Sequence, residues 1–170
     1  MPQFYLPKMH GRHYASRCLK RSAYMLIIYA VLIYPLLRVV LSLASLFVPK
    51  IREGLKQRES KVWLKTQAGQ KPIIIHCSSG EFEYAKPVIR EIKARNPNQK
   101  VFVSYFSPTY RKAIESTPGV DFSFPAPWDS RANIVEFLEH HKPVAYLIAR
   151  TDVWPGMVSQ CFSRNIPTIL

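Results

Sequence analysis

Hydrophobic and polar positions divide the chain into distinct regimes. Residues 1–22 are polar and basic, residues 23–48 are almost wholly apolar, and from Pro72 onward short apolar runs alternate with stretches of helical periodicity. Ile73-Ile74-Ile75 is β-branched and too short for a helix, which predicts a buried parallel strand over 73–76. Phe82, Ala85, Val88, Ile89 and Ile92 then recur at helical spacing, predicting a helix over 81–95 that stops at Asn96-Pro97-Asn98. The alternation continues with a strand over 101–106 and a helix over 108–115, with Pro108 early in the helix, where its missing N–H costs nothing. A short strand near 122–124, a helix capped by Asp129 or Ser130 and running to His141, a strand over 144–149 and a helix to about Arg164 follow. A further strand begins at Ile166. Strands alternating with helices predict an α/β domain: a parallel sheet with helices on both faces.

The apolar segment is long enough, at about 1.5 Å per residue, for the ~30 Å of bilayer hydrocarbon. Three features oppose a simple span. Pro35 would kink it, Arg38 lies past its middle, and basic residues flank it on both sides, with Lys50, Arg52, Lys56 and Arg58 following. A helix lying in the interface, or a re-entrant anchor, relieves all three. Ser42-Leu43-Ala44 has the small residues of a signal-peptide cleavage site, but Arg38 stands between that site and the apolar region. The expected organisation is a basic extension (1–22), a membrane anchor (23–48), a basic connector with a short helix over 52–64 (49–71), and the α/β domain (72–170).

A formal charge of +13 calls for an anionic partner. The cations gather around the apolar segment, which favours an anionic membrane over nucleic acid. Cys18, Cys77 and Cys161 have no metal-ligand spacing and make an odd number, so a reducing compartment is expected and a disulfide framework is not. Cys77 reads as a buried structural cysteine rather than a nucleophile.

The predicted strands end in polar turns, and in open α/β sheets ligands bind outside the carboxyl ends of the strands. His76-Cys77-Ser78-Ser79-Gly80-Glu81-Phe82 places an acid beside two hydroxyls and a glycine. Ser78-x-x-Glu81 also fits a capping box, with Ser78 bonding the amide of Glu81 and Glu81 reaching back to that of Ser78; spacing alone favours this structural role. A helix N-terminus would keep Glu81 ionised, suiting it to act as a base. Ser107 before Pro108 is an N-cap or part of an anion site. Arg150-Thr151-Asp152-Val153-Trp154-Pro155 supplies a second acid, with Thr151 or Asp152 as a helix cap and Trp154 as packing. At one sheet edge these turns would converge on one cleft. One glycine in the first turn cannot make G-x-G-x-x-G, which excludes a dinucleotide-binding oxidoreductase.

His76 to Phe82, Tyr105-Phe106-Ser107-Pro108 and Asp152-Val153-Trp154-Pro155, in this order and spacing, resemble the N-terminal half of the 3-deoxy-D-manno-octulosonic acid (Kdo) transferases, over residues 25–170. The resemblance implies a Rossmann-like domain, the N-terminal half of a GT-B glycosyltransferase, at the cytoplasmic face of the cell inner membrane. It implies transfer of Kdo from CMP-Kdo to a lipid A precursor in lipopolysaccharide biosynthesis, with inversion and with no cofactor or essential metal. Glu81 becomes the general base, and Ser78, Ser79, Gly80, Ser107, Arg150 and Asp152 become acceptor-binding residues. The family begins near Met25, leaving residues 1–24 as an extension. Its donor-binding C-terminal half lies outside these residues, so the chain alone is expected to be inactive. Arg150 stands where the family tends to have an acid. That departure favours an alternative, a catalytically inactive membrane-bound module that binds lipid A-like phosphates.

Overall fold

The computed structural model describes residues 24–150 and 152–170. The expected basic extension with His10 and His13, Cys18, and the proposed cap Thr151 lie outside the described residues.

The apolar segment forms one helix, α1 (Tyr24–Phe47). Just ahead of Pro35, where a kink is expected, the helix widens into a π-helical turn at Tyr29–Ile33, with the Tyr34 N–H bonded to the Tyr29 carbonyl. Proline offers no N–H and its ring crowds the carbonyl four residues back; a widened turn just ahead of it absorbs both defects. The chain reverses at extended Val48 into α2 (Pro49–Glu59). Arg52 folds back to donate to the carbonyls of Ser45 (3.0 Å) and Leu46 (2.9 Å), satisfying the open end of α1. The connector helix therefore starts and stops earlier than expected. Lys61 takes a left-handed backbone (φ 44°), and a 3₁₀ turn at Val62–Lys65 then buries Trp63.

The remaining elements alternate as predicted: β1 (Ile73–Cys77), α3 (Phe82–Arg95), β2 (Val101–Tyr105), α4 (Arg111–Glu115), β3 (Phe122–Pro125), α5 (Arg131–His141), β4 (Ala145–Ile148), α6 (Pro155–Ser163) and β5 (Thr168–Ile169). The helix expected over 108–115 is split, a 3₁₀ turn at Pro108–Tyr110 preceding α4. All pairings are parallel and the strand order is β3-β2-β1-β4-β5, so the sheet starts at its centre and winds outward in both directions. Successive residues face opposite sides of the sheet. Ile74, Phe102, Phe124 and Tyr146 thus pack with Trp63, Phe137 and Leu138 on one face, while Ile75, Val101 and Val103 pack with Phe82, Ile89 and Ile114 on the other. Burying each such side chain contributes about 1.5–3 kcal/mol. Apolar runs such as Ile73-Ile74-Ile75 are what a sheet covered on both faces requires.

Candidate functional site

The parallel register brings the carboxyl ends of β1, β2, β3 and β4 to one edge, and the turns there are tied to one another. The Ser78 carbonyl accepts the N–H groups of Phe106 (3.2 Å) and Ser107 (2.9 Å), joining the first turn to the second. Phe106 stacks on Trp154, centroids 5.5 Å apart and rings within 12° of parallel, joining the second to the fourth. Asp129, after β3, accepts from the amides of Gly156 (2.9 Å) and Met157 (2.8 Å), joining the third to the fourth.

Glu81 sits at the N-cap of α3. The expected capping box does not form: Ser78 makes no bond to the Glu81 amide, and the Glu81 carboxylate accepts instead from the amide of Ser79 at 2.9 Å. The carboxylate thus reaches back two residues, to Ser79, and not three, to Ser78, whose carbonyl is engaged with the β2 turn. Its own amide and that of Ser79 hold the Glu81 carboxyl below the usual carboxylate range, and Arg150 acts in the same sense. The result is an ionised, partly exposed carboxylate at the rim of the edge. At Gly80 a Cβ would stand 3.3 Å from the Tyr110 hydroxyl, so a side chain there would require the tyrosine to move by a few tenths of an ångström.

Asp152 behaves differently. It neither caps α6, whose N-cap is Trp154, nor stands free. Its carboxylate lies 2.8 Å from Nε2 of fully buried His76, whose Nδ1 is 2.9 Å from the Ser104 hydroxyl. Burial, the largest single influence, raises the Asp152 pKa; the hydrogen bond and charge of His76, together with hydrogen bonds from Ser78 and Trp154, outweigh it and leave the group below the usual range. An ionised carboxylate only accepts, so Nε2 carries the proton. The amides at the start of α6 are served by Asp129; of the two candidate caps for α5, Asp129 and Ser130, it is Ser130 that caps the helix, accepting from the Asn133 amide. Gly156 must lack a side chain, since a Cβ would lie 2.7 Å from Asp129 Oδ1.

Ser107 caps the 3₁₀ turn as expected, accepting from the Thr109 amide. Arg150 takes a left-handed backbone (φ 76°) and its guanidinium lies 5.5 Å from the Tyr84 ring centroid, on the α3 side of the edge. Glu81, Ser79, Gly80, Arg150 and Asp152 are therefore gathered where β1 and β4 end, with Ser78 and Ser107 tied beside them. Cys77 is fully buried and its thiol is pushed up to about 12 by burial, which suits packing and not attack.

Several residues escaped the sequence pattern. Arg58 of α2 is buried, its guanidinium 3.6 Å from the Phe106 ring centroid and donating to the Phe106 carbonyl at 3.0 Å. Burial lowers its pKa to about 10, so it stays charged at neutral pH. Trp128 lies beyond it, 5.0 Å from Arg58, and Arg38 of α1 covers the Trp128 ring at 3.9 Å. A stack of Trp154, Phe106, Arg58, Trp128 and Arg38 thus runs from the site to the apolar helix. A cavity of about 150 Å³ opens beside it, lined by Leu41, Ile51, Leu55, Ser107 and Pro108 among others. Only the count of aromatic and cationic residues hinted at this stack. Among the described residues no group of three or more His, Cys, Asp or Glu side chains is placed to hold a metal ion.

The doubly wound parallel sheet with this polar carboxyl edge defines a Rossmann-like α/β domain consistent with the N-terminal half of a GT-B glycosyltransferase. Residues 51–170 match the family described as 3-Deoxy-D-manno-octulosonic-acid transferase (kdotransferase), and the chain belongs to that family. A curated 3-deoxy-D-manno-octulosonic acid transferase of Haemophilus influenzae is 28% identical over 138 residues, 80% of this chain and 32% of that protein. The chain thus spans about a third of that relative's length. It is a Kdo transferase-like glycosyltransferase domain, carrying one helix long and apolar enough to cross a membrane.

Proposed function

We propose that this domain binds the acceptor of a Kdo transfer reaction and supplies its general base, Glu81. The observation that carries the reading is the Glu81 carboxylate, held ionised by backbone amides yet exposed at the rim where the turns after β1, β2 and β4 meet. The acceptor is a lipid A precursor, an alcohol on a phosphorylated lipid, and the donor is CMP-Kdo, bound by a C-terminal domain that completes the enzyme. The acceptor oxygen forms a bond to the anomeric carbon of Kdo while the bond from that carbon to the CMP phosphate oxygen breaks. The electron pair leaves with CMP, the configuration inverts, and the acceptor's proton passes to Glu81. In this reading the hydroxyls of Ser78, Ser79 and Ser107, the Gly80 turn and the Arg150 guanidinium bind the acceptor's hydroxyl and phosphate groups. Asp152 orders the edge by holding His76. The basic connector and the lipid acceptor support a location at the cytoplasmic face of the inner membrane, with α1 as anchor.

In a chain completed with a donor domain, Glu81→Gln is expected to lower turnover by roughly 10²–10⁴-fold while acceptor binding and melting temperature hold, because Gln still accepts from the Ser79 amide. Unchanged turnover would leave Glu81 a helix cap. Arg150 favours a second reading, a non-catalytic membrane-bound module for lipid A-like phosphates. That reading gains if the completed chain binds acceptor but transfers nothing even with Glu81 intact.

A further inference from the structure

α1 does not project from the domain; it lies along it. Tyr29 faces the Asp129 carboxylate, Tyr34 faces Ser130, Arg38 covers Trp128 at 3.9 Å and comes within 3.7 Å of the Glu59 carboxylate, and Leu41 walls the cavity beside Ser107. From Tyr29 to Leu41 these contacts cover about 18 Å of helix axis. A helix crossing ~30 Å of hydrocarbon could make them only by drawing the polar wall of the domain, with Asp129 and Glu59, into the bilayer interior. Among the described residues the opposite face has no partner, and it carries no charge. Ile28, Leu32, Leu36, Val39, Leu43 and Leu46 follow one another along it at spacings of three or four residues, each 45–64% exposed. Lys50 and Arg52 continue the chain directly after it, where anionic headgroups would meet them.

We propose that α1 is an in-plane anchor: its outer face is buried in the acyl region of one anionic leaflet, and its inner face, with Arg38, is satisfied by the domain. This deepens the proposed membrane location without depending on the transfer reaction. It resolves the arginine in the apolar segment, whose charge sits on Trp128 and Glu59 and not in lipid. It also fixes the orientation of the site, because the Arg38–Trp128–Arg58–Phe106 stack runs from the anchor to the β2 turn.

The test uses the full chain with Cys18→Ser, Cys77 and Cys161 being buried, reconstituted in phosphatidylethanolamine–phosphatidylglycerol vesicles. Single spin labels are placed by Ile28→Cys, Leu32→Cys, Leu36→Cys, Leu43→Cys and Leu46→Cys, and their depths are read from accessibility to oxygen and to a water-soluble nickel chelate. An in-plane helix gives one common depth within about 5–10 Å of the headgroup boundary at all five positions. A gradient, with Leu36 deepest and the ends shallow, means a span and overturns the proposal. Labels protected equally with and without lipid mean that a second copy covers the face, and labels open to the chelate mean that nothing does; either also overturns it. Leu36→Asp, a change at an exposed position that leaves the core intact, is expected to reduce vesicle binding at least tenfold, and unchanged binding counts against lipid as the occupant.

Discussion

Two carboxylates stand at the same sheet edge and live under opposite conditions. Glu81, after β1, is held by backbone amides of its own turn and faces solvent. Asp152, after β4, is half-buried and bound to a histidine from the neighbouring strand. Both are ionised at neutral pH, yet for different reasons: local amides in one case, a tertiary partner in the other. A carboxylate fixed by its own turn keeps its remaining lone pairs free for an incoming proton. One committed to a buried imidazole has spent its basicity on the fold. Environment thus divides the labour between chemically similar groups.

The largest effect that could break this division is the loss of turnover on Glu81→Gln in the completed enzyme, equivalent to about 3–5 kcal/mol of activation barrier. If Asp152→Asn lost as much turnover without loss of stability, the two roles would be the reverse of those assigned. Next in size, Asp152→Ala leaves the buried Nε2–H of His76 without its acceptor and is expected to cost about 1–3 kcal/mol in denaturant unfolding. Asp152→Asn, which offers an oxygen but no charge, should cost roughly half of that. Asp129→Ala frees the two amides at the start of α6 and is expected to lower stability by ~1–2 kcal/mol without altering acceptor affinity by more than about twofold.

A pH titration sharpens the contrast. The Asp152 pKa is lowered in the folded state, so its stabilising effect is complete above the ordinary aspartate value of ~3.9 and is lost as pH falls through the lower folded value. The stability difference between wild type and Asp152→Asn should therefore shrink below about pH 4. A difference independent of pH would mean that the charge contributes nothing. The smallest expected effect is on the stability of Glu81→Gln: within ~0.5 kcal/mol of wild type, because the carboxylate is solvated and the amide oxygen replaces it. A drop as large as that of Asp152→Ala would erase the comparison.

The elements were legible because their signals are local. Ile73-Ile74-Ile75, the helical spacing from Phe82 to Ile92 and the breaks at Asn96-Pro97 act over a few residues, and the strands lie within a residue or two of where the pattern puts them. The three turns were legible too, as strand ends carrying polar residues. Partners were not. Nothing near Asp152 in sequence says that it will meet His76, 76 residues away, and nothing near Asp129 says that it will cap a helix 27 residues on. Capping rules read from spacing left Asp129 or Ser130, and Thr151 or Asp152, as caps of the helices that follow them; the fold gives the first cap to Ser130 and sends Asp129 and Asp152 to distant partners. Pro35 shows the same limit: the sequence announces a defect, and only the fold shows that it takes the form of a π turn ahead of the proline.

By itself, then, the sequence determined the alternation of strands and helices, the apolar segment with its misplaced arginine, and the polar turns that mark the family, since each depends on side-chain periodicity and short-range backbone preference. The tertiary structure alone decided which carboxylate is free and which is bound, that Arg58 and Trp128 link the site to the apolar helix, and that this helix lies against the domain. Those outcomes depend on which distant groups share a dry interface, where an unpaired charge or amide is costly enough to select its partner.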